Sequence, residues 1–149
     1  MSKQALSGIR VLDFSQVLAG PFATQLLAQL GAQVIKIEQP VGGDMTRGLM
    51  SANSDGMAPS FLAANLGKRS LTLDLKNPKA TEIVHKLVAK ADVIVENFKP
   101  GTIERLGFGY KSMRAIKPEL VYASISGFGQ TGPGQVCLPS TVPFRPIRA

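Results

Sequence analysis

A glycine-rich run, Gly127-Phe128-Gly129-Gln130-Thr131-Gly132, directly follows a β-rich segment. Its spacing matches the GxGxxG fingerprint, in which glycines let the backbone approach a pyrophosphate. That chemistry also needs a helix N-terminus aimed at the anion and an acidic residue downstream for a ribose. Here Pro133 and Gly134 follow instead, and no Asp or Glu occurs after Glu119. The run reads as a flexible substrate loop rather than as an NAD site. His85 has no partner nearby in sequence and reads as a surface or packing histidine, while Cys137 lies in an irregular tail. Neither makes half of a nucleophilic pair. Metal-ligand types do not cluster at useful spacing, so no metal site is expected.

Three other segments fall where strands end, which is where open α/β sheets bind ligands. They are Val17-Leu18-Ala19-Gly20-Pro21; Lys68-Arg69-Ser70 with Leu73-Asp74-Leu75-Lys76; and Glu96-Asn97-Phe98-Lys99-Pro100-Gly101. Together they supply amide donors, an aromatic face and several cations, a set suited to an adenine, a pyrophosphate and a 3′-phosphate. Any one of them alone reads equally well as an ordinary loop with exposed charges.

The elements that must position these segments alternate between strand and helix. Ile9–Phe14, Val34–Ile37, Ser70–Leu75, Asp92–Glu96 and Leu120–Ser126 read as strands. Gly20-Pro21 opens a helix that Gly31 closes, with Phe22, Ala23, Leu26, Leu27 and Leu30 as its apolar face. Asn77 caps a second helix with Pro78 at its first position and Ile83, Val84, Leu87 and Val88 as its buried stripe. Shorter helices are expected over 60–66, 102–106 and 111–117, and residues 40–60 read as loop. The pattern predicts an α/β fold, a parallel sheet with helical crossovers.

The chain has 149 residues, which suggests one domain. Its 44% apolar and 18% charged residues describe a globular protein. One cysteine excludes an internal disulfide. The net charge of +7 points to nucleic acid, to a phosphorylated small ligand or simply to a solvated basic surface. The basic residues are dispersed and not interleaved with aromatics, so no nucleic-acid partner is expected. No apolar run has membrane-spanning length and the N-terminus lacks a continuous apolar core, so no membrane partner and a cytoplasmic location are expected.

The stretches LDFSQVLAGPFATQLLAQLGAQVIKIEQP, GDMTR, NLGKRSLTLDLK, ADVIVENFKPG, IERLGFGY and PELVYASISGFGQTGP together resemble the N-terminal part of the class III CoA-transferases. That is the family of formyl-CoA transferase, carnitine CoA-transferase and bile-acid-inducible protein F. The resemblance covers residues 6 to 133. It implies a Rossmann-like sheet, an interlocked homodimer, and transfer of CoA from an acyl-CoA thioester to a small carboxylic acid through an aspartyl anhydride. Coenzyme A is then a substrate and not a covalently bound cofactor. By position, the CoA contacts would be Val17, Leu18, Ala19, Leu73, Asp74, Leu75, Lys76, Asn97, Phe98, Lys99 and Arg105. Lys76, Lys99 and Arg105 would meet phosphates. Phe98 and the apolar turn would line the adenine and pantetheine path. The formyl-CoA transferase pattern has glutamine in place of Leu18 and arginine in place of Gln39. The resemblance therefore carries CoA binding further than formyl or oxalyl specificity.

The family's nucleophilic aspartate is expected beyond Ala149, so the sequence reads as a truncated family member: 1–133 an N-terminal part of the large domain, 134–149 an irregular tail. The alternative reading is a non-catalytic CoA- or nucleotide-binding remnant or a pseudogene product. Codons chosen for Gln135 to Ala149 and read in another frame give GLPAFDRTVQANPG, which resembles the family's continuation. A frameshift near Gly134 is therefore expected. Sequencing the coding DNA from the Gln130 codon past the stop tests this: one restored base should return GLPAFD and a downstream aspartate, and a confirmed frame would reject it.

Overall fold

Runs of β-branched and apolar residues bounded by Gly, Pro and Asn set the strands, because branched side chains pack well on a pleated surface. In the computed structural model, which describes residues 4–49 and 57–134, five strands form a single parallel sheet. They are β1 (Arg10–Asp13), β2 (Gln33–Glu38), β3 (Arg69–Thr72), β4 (Val93–Glu96) and β5 (Val121–Ser124), in the order β3-β2-β1-β4-β5. Between them run α1 (Ala19–Gln29), a 3₁₀ turn (Met45–Gly48), α2 (Pro59–Asn65), α3 (Pro78–Val88), α4 (Thr102–Arg105) and α5 (Tyr110–Ile116). Val11 sits opposite Val34 on one side and Val93 on the other, so β1 is central. The strand order reverses between β1 and β4. The crevice beyond their C-terminal ends is the topological switch point of an open α/β sheet.

Alternation along the strands builds two cores. Leu12, Phe14, Ile37 and Ile94 face Val84 and Val88 of α3, together with Ile103, Phe108 and Met113. Val11, Val34 and Val95 face the opposite way, against Leu27 and Ala28 of α1. Burial on both faces explains why these strands read as continuous apolar runs. The expected cap of α3 is present: the Asn77 carboxamide oxygen accepts from the Lys79 N–H at 3.0 Å, with Pro78 at the first helical position.

The helices over 60–66, 102–106 and 111–117 appear within one or two residues of their expected bounds. Two differences have physical causes. β3 stops at Thr72, since Asp74 folds back to accept from the Lys76 N–H at 3.0 Å and starts a turn. Helix α1 buries Gly20, Pro21, Thr24 and Gln25, while Phe22, Leu26 and Leu30 of the expected apolar face lie exposed. The polar pair is drawn inward because Thr24 donates to Asp13 Oδ2 at 2.6 Å and Gln25 bridges to the Ala63 carbonyl at 3.0 Å and the Leu66 N–H at 2.8 Å. Among the described residues no helix is long and apolar enough to cross a membrane. The expected tail lies outside the described residues from Gln135 on, Cys137 included.

Met113 is fully buried where α5 meets the larger core. Replacing it by alanine should lower unfolding stability by about 2–5 kcal/mol, read as a fall in the urea midpoint at unchanged slope.

Candidate functional site

The chain leaving β1 passes Ser15, Gln16 and Val17 before entering α1, and the chain leaving β4 passes Asn97 to Gly101 before α4. One side chain clasps the two. Asn97 Oδ1 accepts from the Gln16 N–H at 2.8 Å, and Asn97 Nδ2 donates to the Gln16 carbonyl at 2.7 Å. Each backbone group is satisfied, so the switch-point crevice has a fixed floor.

Helix α1 begins beside this clasp. Its N-cap is Leu18, which offers no side-chain acceptor, and no acidic residue lies in the first turn. Pro21 has no N–H to satisfy. The Ala19 and Gly20 amides, at the positive end of an 11-residue helix, therefore point out of the ladder. Gly20 is required here by space: a Cβ would collide with the Ser15 side chain. Leu18 is 62% exposed, and Val17 adopts φ +71°, a left-handed conformation that strains a β-branched residue.

Beneath the loops lies a buried charge network. Lys36, on the face of β2 that also carries Val34, is 1% exposed. Its ammonium donates to the Ser15 carbonyl at 2.7 Å and pairs with Asp44 at 2.9 Å. Asp44 accepts from the Val17 N–H, from the Thr46 N–H at 3.0 Å and from the Thr46 hydroxyl at 2.8 Å. Lys68 pairs with Asp13 at 2.8 Å and donates to the Pro21 carbonyl at 2.7 Å. Asp13 also accepts from the Ser15 hydroxyl and the Ser15 N–H. Glu38 receives a bidentate Arg47, at 2.7 and 2.8 Å, and the Ser70 hydroxyl at 2.6 Å. The Arg47 guanidinium also lies 3.7 Å over the Phe61 ring.

These contacts decide the protonation states. Burial alone would raise Glu38, but hydrogen bonds from Arg47, Ser70 and the Asp44 N–H outweigh it and hold the carboxyl at about 2. Asp44 is likewise lowered: its own desolvation pushes up, and Thr46 and Lys36 pull down harder. Burial lowers Lys68 against the upward pull of Asp13. Glu96 moves the other way. Its desolvation exceeds the hydrogen bonds from Ser124 and the Phe98 N–H, so its carboxyl is raised.

The expected site residues distribute along one edge. Val17, Leu18 and Ala19 follow β1; Asn97, Phe98 and Lys99 follow β4; Leu73, Asp74, Leu75 and Lys76 follow β3; and Arg105 ends α4. The clasp brings the β1 and β4 segments together, whereas the β3 segment lies two strands from β1 in the sheet. Leu73, Leu75 and Phe98 are half-buried and pack on the larger core. Lys76, Lys99 and Arg105 are exposed, with Arg105 bonded to the Thr102 hydroxyl at 3.0 Å. Lys68 turns inward to Asp13 instead, and the hydroxyl of Ser70, an exposed residue of the edge strand β3, is taken up by Glu38, because unpaired buried carboxylates are costly. The network members Asp13, Lys36, Glu38 and Asp44 were not among the expected site residues. The available signal was a charge inside an apolar strand, Lys36 between Ile35 and Ile37, at a position whose alternation faces inward.

The model of CoA-transferase family III matches residues 6–137. The succinate–glutarate CoA-transferase of Agrobacterium fabrum is 48% identical over 137 residues, covering 88% of this chain and 34% of that protein. A formyl-CoA:oxalate CoA-transferase from a Bradyrhizobium species is 48% identical over 134 residues, covering 90% of this chain and 31% of that protein. The crystal structure of a CAIB/BAIF family protein from Brucella suis superposes with a TM-score of 0.86 at 43% identity, over 92% of this chain and 37% of that one. The chain thus spans about a third of the length of the curated relatives it matches.

A carboxylate whose pKa is lower in the folded chain than in the unfolded one stabilises the fold above its unfolded value. That stabilisation drains away as pH falls through the folded value. For Glu38 the window runs from 4.5 down to about 2, a loss of about 3 kcal/mol. Thermal midpoints measured from pH 7 to pH 2 should fall steeply for the wild type and less steeply for Glu38→Gln, which starts lower. Parallel curves would reject this assignment.

Proposed function

The chain belongs to CoA-transferase family III, and on that premise we propose that it holds the CoA of an acyl-CoA thioester along the C-terminal edge of its sheet. The observation that carries this reading is the Asn97 clasp between the β1 and β4 loops, set beside the uncapped start of α1. Phosphates meet Lys76, Lys99 and Arg105, whose charges stand in solvent with no carboxylate among the described residues paired to them. Phe98, Leu73 and Leu75 line the adenine and pantetheine path, Val17, Leu18 and Ala19 line its pantetheine end, and Asp74 fixes the turn that presents Lys76.

The reaction is transfer of CoA from a thioester to a free carboxylic acid. An aspartate carboxylate attacks the thioester carbonyl, the C–S bond breaks, and CoA leaves as the thiolate. The thiolate then attacks the aspartyl carbonyl of the mixed anhydride, which releases the donor acid as its carboxylate and leaves CoA on the aspartate as a thioester. The acceptor carboxylate attacks that thioester, and CoA leaves again as the thiolate. Its attack on the acceptor carbonyl of the new anhydride gives the product thioester and frees the aspartate. That aspartate comes from polypeptide outside these 149 residues, and the working unit is a homodimer.

Titration calorimetry of the 149-residue chain with CoA tests the binding step. Saturable binding is expected. Lys99→Ala and Arg105→Ala should each weaken it about tenfold, the loss expected for a hydrogen bond to a charged group. Unchanged affinity in both variants would reject the placement of the phosphates. The chain alone should not exchange CoA between an acyl-CoA and an added acid; exchange would overturn the external nucleophile.

A further inference from the structure

On the reading that the Val17–Ala19 turn lines the CoA path, we infer that Asp44 is a positioning residue that sets this turn for the thioester arm of the substrate. Three consecutive residues ahead of α1 are each held by a side chain from a different element. The Ser15 carbonyl is held by Lys36 of β2 at 2.7 Å. The Gln16 N–H and carbonyl are held by Asn97 after β4. The Val17 N–H points at the Asp44 carboxylate, at 3.2 and 3.3 Å from its two oxygens.

Val17 is the residue that needs holding. Among the described residues it is the one non-glycine with a positive φ. A β-branched side chain disfavours that conformation, so the surroundings must impose it. Asp44 is equipped to do so. It is fully buried, its charge is balanced by the Lys36 ammonium at 2.9 Å, and the Thr46 N–H and hydroxyl fix its orientation. Leu18 and Ala19, the next residues along, are exposed and take their direction from the Val17 backbone. Releasing Val17 lets φ return to negative values and turns both away from the crevice. Lys76 and Lys99 stand on other loops and Arg105 at the end of α4, and none of them feels the change. Asp44 therefore acts on the part of CoA that lies against the turn and not on its nucleotide.

The test compares two ligands, CoA and adenosine 3′,5′-bisphosphate, by calorimetry on the whole chain, with circular dichroism confirming that each variant folds. Asp44→Asn should weaken CoA about tenfold while leaving the bisphosphate within about twofold. Adding Val17→Gly to that variant should restore most of the CoA affinity, because glycine adopts φ +71° without an anchor. A purely structural lesion would not be rescued this way. Asp44→Asn leaves the Lys36 ammonium buried without its anion, so Thr46→Val provides a milder second variant. It removes one donor to Asp44 and should show the same selective loss, smaller in size. Equal loss of both ligands, or no rescue by glycine, overturns the positioning role and leaves the CoA reading intact. If Asp44→Asn does not fold, Thr46→Val decides, and no selective loss there overturns it too. If the wild-type chain binds neither ligand, the CoA reading falls and the positioning role falls with it.

Discussion

The ion pair between Lys36 and Asp44, sealed from solvent, is the constraint on which the loops at the C-terminal edge of the sheet depend. Removing two charges from water is expensive, and burial is tolerated only when every remaining donor and acceptor is met. Here they are met by the Ser15 carbonyl, the Val17 N–H and Thr46, which means by the loop that leaves β1. Satisfying the charges and shaping the loop are one event. The Lys68–Asp13 pair repeats the arrangement one step away, tying the start of α1 to the region just before β3 through the Pro21 carbonyl and Asn65.

This arrangement explains the orientation of α1. An amphipathic helix ordinarily turns its apolar stripe toward the sheet. In α1 the inward face carries Thr24 and Gln25, because Asp13 and the backbone around α2 demand hydrogen-bond partners there. Phe22, Leu26 and Leu30 are left outside, each about half exposed, while Leu27 and Ala28 still pack on the smaller core. Polar satisfaction decides the rotation of the helix near the site, and apolar burial decides it further along.

Most of the architecture was legible in the residues. Alternating β-rich and helical runs, with proline and asparagine at helix starts, marked the parallel sheet, and Asn77 and Pro78 marked α3 to the residue. The positions of the segments after β1 and β4, directly beyond strand ends, were legible too. The roles of Lys68 and Ser70 were not. A lysine near a strand looks like a phosphate ligand until its distant partner, Asp13, is placed. The Asn97–Gln16 clasp spans 81 residues, and nothing in the local pattern of either residue announces the other. Lys36 was the readable exception. Inward-facing lysine in an apolar strand requires a counter-ion, and Asp44 follows one loop later.

The strand order has a consequence for how the molecule assembles. β1, β2 and β3 and the helices joining them are consecutive in the chain, and the buried pairs Lys36–Asp44 and Lys68–Asp13 close within them. Forming that unit requires short loop closures. β4 then has to return across the whole of it to lie beside β1, and Asn97 engages Gln16 at the end of that journey. The crevice is thus completed by the contact of highest sequence separation among those that shape it. A chain emerging from the ribosome holds all the partners of both buried ion pairs before the strand that brings Asn97 to Gln16 has been synthesised.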